Sequence, residues 1–201
     1  MKRKMYLIIA ILTVGMLLIA GCGGSQGVSS DGQPPGSGGD QAADPNGFKE
    51  YPIGDEVQVE GMNIAAVYFQ PSAMEPKDKA GIPIEEADIH IEADIAALKD
   101  NPRGFGFGEF VPYLTVKYKM ENLDTSEVRE GSFMPMNAAD GPHYGANIQM
   151  LGAGKYRLSY IISAPTDYLL HADEVTGVPE STWWKKPITV DWEFNFIPRK
   201  W

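Results

Sequence analysis

The sequence predicts an all-β fold, an antiparallel β-sandwich of about seven strands, on three observations. Several segments alternate apolar and polar residues with a period of two, which turns one face of a strand inward. Fifteen prolines and twenty-two glycines break the 201-residue chain into short runs. No stretch beyond the N-terminal region keeps a 3.6-residue period with capping residues at its ends.

In chain order, Lys2, Arg3 and Lys4 precede an apolar run, residues 5–18, that leads into Leu18-Ile19-Ala20-Gly21-Cys22. A basic start, a short apolar stretch and small residues before the single cysteine read as a lipoprotein signal peptide with its lipobox, residues 1–22. The run falls short of the ~20 apolar residues a bilayer span requires. The expectation is a lipidated Cys22 that anchors the chain in the lipid bilayer of the cell membrane, facing the periplasm or the cell exterior. Each buried acyl methylene contributes ~0.8 kcal/mol to such an anchor. Residues 23–47 are rich in Gly, Ser, Gln, Asp and Pro, with Val28 their one large apolar residue, and read as a flexible tether. Residues 48–201 are of single-domain length, enough for one substantial core.

Within that domain, Val57 and Val59 followed by residues 64–69 suggest a hairpin around Gly61. Leu114, Val116, Tyr118 and Met120 alternate with Thr115, Lys117 and Lys119. Tyr156, Leu158, Tyr160 and Ile162 repeat the pattern after the turn-prone Gly152-Ala153-Gly154. The clearest strand has Ile188, Val190, Trp192, Phe194 and Phe196 inward, with Thr189, Asp191, Glu193 and Asn195 between them.

The signal segment holds three of the seventeen basic residues and none of the twenty-seven acidic ones, so the mature chain carries a formal charge of −13. Such a surface repels nucleic acid and favours cations. With Cys22 taken by lipid, no thiol remains for a disulfide, a zinc–thiolate site, a cysteine nucleophile or a blue-copper centre. No Ser-His-Asp pattern with supporting turns and no phosphate loop occurs, and no histidine is left over as a general base once three act as ligands, so an enzymatic role is not expected.

Three segments carry candidate chemistry. In residues 87–98, Ile89, Ile91 and Ile95 share one strand face, which leaves Asp88, His90, Glu92 and Asp94 on the other. Residues two apart sit ~6.6 Å apart along a strand, so His90 and Glu92 can converge on one cation or flank two adjacent ones; alone, the pattern also fits a solvated strand face. In residues 134–144, the Asp140-Gly141-Pro142 turn can bring His143 opposite Met136, although a methionine is also core filler and a histidine after a turn is often exposed. His171 lies in the loop running from Pro165 to the Trp183-Trp184 pair. If that loop folds over the other two, the set becomes three imidazoles, a thioether and a carboxylate. Imidazole suits copper, iron, nickel and zinc, a thioether biases toward copper, and a carboxylate adds tolerance for Fe(II) or Mn(II).

Five stretches then fall into a recognisable pattern: Phe48-Lys49-Glu50-Tyr51-Pro52-Ile53-Gly54, residues 61–68, residues 87–95, residues 133–147 and Gly154-Lys155-Tyr156. They resemble the bacterial periplasmic or lipid-anchored, high-affinity iron(II)-transport and copper-binding proteins that accompany a membrane iron permease. The resemblance implies an immunoglobulin-like β-sandwich, a homodimer, and a metal site near the subunit interface built from histidines, a methionine and a glutamate; copper and iron are the expected metals, with zinc or manganese as substitutes. By motif, His90, Glu92, Met136 and His143 match its ligands, and His171 matches more loosely, in a loop the partner subunit can supply. Asp88, Asp94 and Met134 are candidates for a second metal site beside it. A copper-handling lipoprotein for tolerance or supply, and a surface module that binds a protein partner, are the alternative functions.

Overall fold

The computed structural model describes residues 49–183 and 185–201. The lipobox with Cys22, the tether of residues 23–47 and Trp184 lie outside the described residues.

The described residues form ten strands: β1 Tyr51–Pro52, β2 Val57–Val59, β3 Met62–Phe69, β4 Ile89–Ala97, β5 Thr115–Asn122, β6 Val128–Ser132, β7 Met134–Ala138, β8 Gly141–Ile148, β9 Gly154–Ser163 and β10 Ile188–Phe196. One sheet runs β1-β3-β4-β8-β7 with β2 also paired to β3, and the other runs β10-β9-β5-β6. Every pairing between these strands is antiparallel. The expected sandwich is present, with ten strands in place of about seven. The additional ones are short, and two of them, β6 and β7, have hardly a buried side chain, so no apolar alternation marks them.

Where one face meets solvent, the alternation is visible. β10 buries Ile188, Val190, Trp192 and Phe196 and exposes Thr189, Asp191, Glu193 and Asn195. Ile91, Ala93 and Ile95 of β4 meet Leu158, Tyr160 and Ile162 of β9 in one core between the sheets. Each fully buried Leu or Ile side chain contributes ~1.5–3 kcal/mol. Two fully buried tyrosine hydroxyls are partnered: that of Tyr144 accepts from Leu114 N at 2.9 Å and donates to Val111 O at 2.8 Å, and that of Tyr160 donates to Glu92 O at 2.8 Å.

The hairpin around Gly61 joins β2 to β3, with φ of 52° at Glu60 and 73° at Gly61. Left-handed dihedrals at both turn residues match the twist of a two-residue β-hairpin. β3 is buried along its whole length and β4 over its first five residues. Both faces of this sheet are therefore covered at its centre, where the candidate ligands lie.

Candidate metal centre

Strand register assembles the site. β4 and β8 pair so that His90 lies opposite Asn147 and Glu92 opposite Gly145. β8 pairs β7 so that Met136 lies opposite His143. Directly opposed residues share a sheet face, so His90, Glu92, His143 and Met136 rise together from the face turned away from the isoleucine core. Glu92 Oε1 stands 3.4 Å from His90 Nε2 and 2.9 Å from His143 Nε2. One ligand atom from each of these three residues lies within 4.8 Å of the other two. Their exposures of 1% for His90, 5% for Glu92 and 4% for His143 exclude the solvated strand face that the alternation alone allowed.

The donor set fits a transition-metal cation. His143 Nε2 is buried, and its near polar neighbour is Glu92 Oε1 at 2.9 Å, an ion-pair contact that leaves the nitrogen short of a well-formed hydrogen bond. An unsatisfied buried polar atom costs ~1–3 kcal/mol, and a cation held by His90, Glu92 and His143 would offset that cost. Two imidazoles and a carboxylate, with a thioether across the hairpin, suit copper or iron more than magnesium or calcium. Gly145 leaves room for this arrangement: a Cβ there would stand 2.8 Å from His90 Nε2.

Beside the cluster lies a cavity of about 310 Å³ lined by Glu50, Asp94 and Asp140 together with Glu92 and His143. Burial raises the Glu50 carboxyl above its ordinary range, and the charges of Glu92 and Asp140 raise it further. Burial, reinforced by Glu92, raises Asp94 to about 7. At Glu92 burial also opposes the charge, but His143 and His90 outweigh it and hold the carboxyl below its ordinary value. Burial likewise opposes the His143 cation, and Glu92 outweighs it, so His143 sits above its ordinary value. An excess of carboxylates around one cavity produces a field that attracts cations.

The other candidates are dispersed. His171 is exposed in the long connection between β9 and β10, with Nδ1 2.9 Å from Thr176 Oγ1, and lies outside the three-residue cluster. Its loop turns elsewhere within this chain: Tyr168 stacks on Phe105 and Trp183, with ring centroids 6.4 and 6.3 Å away. Asp88 precedes β4, and its carboxylate accepts from Met150 N at 2.7 Å. Six residues of strand, ~20 Å, separate it from Asp94. Met134 is 46% exposed on the edge strand β7. Glu50, Asp140, Gly145 and Asn147 had no role assigned by periodicity. Glu50 and Asp140 lie far in sequence from β4, and only the folded register brings their segments to it.

Fold and site together define a β-sandwich protein with a buried histidine–carboxylate cluster whose donor atoms lie close enough to hold a metal ion. The chain belongs to the Fe2+ transport protein family, whose model matches residues 47–197. Similar solved structures include FetP of uropathogenic Escherichia coli, 50% identical with a TM-score of 0.71, covering 77% of this chain and all of that one. Copper-reconstituted P19 of Campylobacter jejuni is 46% identical with a TM-score of 0.71, covering 75% of this chain and 99% of its own. Among curated relatives, a UPF0423 protein of Brucella abortus is 47% identical over 153 residues, 74% of this chain and 82% of its own. The 34 kDa membrane antigen of Treponema pallidum is 44% identical over 151 residues, 73% of this chain and 74% of its own.

Proposed function

We propose that this chain is an extracytoplasmic, membrane-anchored metal-binding protein of iron uptake that holds copper at His90, Glu92, Met136 and His143 and helps deliver iron to a membrane permease. The observation that carries the reading is the buried triad whose ligand atoms lie within 4.8 Å of one another. The similar FetP and P19 structures include copper-bound forms, FetP was expressed in the periplasm, and the Treponema relative is named a membrane antigen. His171 completes the copper ligands from a partner subunit of a homodimer, since its own chain leaves it exposed.

Iron, as cargo, occupies the adjacent cavity, where Glu50, Asp94 and Asp140 offer the oxygen donors that Fe(II) accepts. Glu92 lines the cavity and touches both histidines, so its carboxylate serves either metal. Copper supply or tolerance is a second reading, favoured by Met134 and Met136 standing on the same face of edge strand β7. Growth of a deletion strain under iron limitation and under copper stress separates the two.

The test is a copper and iron titration of residues 48–201 beside a His90→Ala, His143→Ala double variant, with calorimetry and metal analysis. Tight binding that the double variant loses is expected. Equal or absent binding in both proteins would return the histidines to a structural role and favour the partner-binding module.

A further inference from the structure

Two of the three histidines are backed by acceptors that settle which ring nitrogen carries hydrogen. Asn147 is clamped on the backbone of Ser72: its Nδ2 donates to Ser72 O at 2.8 Å, and its Oδ1 accepts from Ser72 N at 3.1 Å. A backbone N–H can only donate and a carbonyl can only accept, so the amide has one orientation. Its Oδ1 also stands 2.9 Å from His90 Nδ1, and that nitrogen must therefore bear the hydrogen. The opposite nitrogen, Nε2, is the one turned to Glu92, 3.4 Å away. Gly145, two residues before Asn147 on β8, leaves the space that Nε2 uses.

His171 has the same arrangement made from different residues. Thr176 Oγ1 donates its single hydrogen to Asp173 Oδ2 at 2.5 Å, so towards His171 Nδ1, 2.9 Å away, it can only accept. The loop that carries this relay is built around it. Asp173 Oδ1 accepts from the backbone N–H of Val175 and of Thr176 at 2.9 and 2.8 Å, and Val178 N donates to His171 O at 2.9 Å. Gly177 N donates to Asp173 O, and a Cβ at Gly177 would stand 2.2 Å from that oxygen. An exposed loop thus holds one imidazole in one orientation with five residues of support, Asp173, Val175, Thr176, Gly177 and Val178.

We propose that Asn147 and the Asp173–Thr176 pair are positioning residues that lock His90 and His171 in the Nδ1–H tautomer, so that each presents Nε2 as its ligand atom. The inference rests on the reading of these histidines as metal ligands. A partner on the far nitrogen fixes ring orientation and raises ligand basicity. In free imidazole side chains the two tautomers interchange, and each molecule with hydrogen on the ligand nitrogen must first give it up.

The experiment uses the full-length chain in detergent micelles, metal-free, labelled with nitrogen-15 histidine; three histidines give three pairs of ring-nitrogen signals. The spectra are recorded at alkaline pH, where neutral rings report their tautomer. The expected wild-type result is Nδ1–H at both His90 and His171. Asn147→Leu moves His90 alone to the other tautomer or a mixture, Asn147→Asp retains Nδ1–H because a carboxylate still accepts, and Thr176→Val moves His171 alone. Copper titration then shows a loss of about 10–100-fold in affinity for Asn147→Leu, with a smaller loss for Asn147→Asp.

A wild-type Nε2–H signal at His90, or an unmoved His90 in Asn147→Leu, overturns the role of Asn147. The same results at His171, in wild type and in Thr176→Val, overturn that of the pair. If Asn147→Leu fails to fold, the wild-type and Asn147→Asp tautomers decide. Tautomers as stated with no copper binding by the wild type would leave the positioning intact and end the metal reading.

Discussion

At the scale of single residues, Gly145 and Glu92 carry the sharpest consequences. A methyl group at position 145 would meet His90 Nε2 at 2.8 Å and Ile91 O at 3.1 Å, and the second is backbone that does not yield. Gly145→Ala is expected to cost ~1–3 kcal/mol as overpacking and to displace His90, lowering copper affinity by roughly tenfold or more. Denaturant unfolding and calorimetry measure the two effects; an unchanged affinity would mean that His90 is not a ligand. The Glu92–His143 pair sets the pH response. His143 lies above its ordinary 6.5, so its stabilising contribution to the metal-free protein is full below that value and lost as pH rises through its folded pKa. Glu92 lies below its ordinary 4.5, so its contribution is present above that value and lost as pH falls through its folded pKa. Both act together between 4.5 and 6.5. Metal requires the neutral imidazole, so copper affinity begins to fall above pH 6.5 as the solution is acidified, and Glu92→Gln moves that onset down. Calorimetric titration across pH with an onset unmoved by Glu92→Gln would show that His143 does not gate binding.

At the scale of elements, the edge strands make the prediction. β7 and β10 each pair with a single neighbour, so both are expected to exchange backbone amides faster than the central β3, β4 and β9. Only β7 carries Met136 opposite His143, so copper is expected to slow exchange in β7 and β8 and leave β10 unchanged. Hydrogen exchange with and without copper checks this, and equal slowing of β10 would point to a global effect. The same elements show how far the sequence is readable. β5, β9 and β10 were legible because one face meets solvent, and β10 prints that contrast residue by residue. On β4 the isoleucine spacing gave the strand, but the His90–Glu92 face has the polarity of a solvated one, and only neighbouring strands bury it. The Met136–His143 pairing was legible because the Asp-Gly-Pro turn lies between them. Glu50 was not, because it reaches the cavity from a segment far outside β4 and the β7–β8 hairpin.

At the scale of the whole molecule, site occupancy and stability are linked. A ligand that binds only the folded state stabilises it by ~2.7 kcal/mol at a hundredfold excess over Kd, which for a domain of about 150 residues raises Tm by roughly 5–10 °C. His90→Ala is expected to abolish that rise, because it removes a ligand from the buried triad. The proposed supply of His171 by a partner subunit would make the effect depend on assembly. In its own chain this residue is exposed, and the same connection carries Leu169 and Val175 at 95% and 91% exposure. If His171 reaches copper from a partner subunit, ligand set and dimer form together, and the copper-induced rise in Tm grows with protein concentration at a fixed excess of metal. His171→Ala then removes the concentration dependence and leaves the smaller rise due to the triad. Scanning calorimetry over a hundredfold range of protein concentration decides: a copper-induced rise independent of concentration in the wild type would confine the site to one subunit and leave His171 outside it.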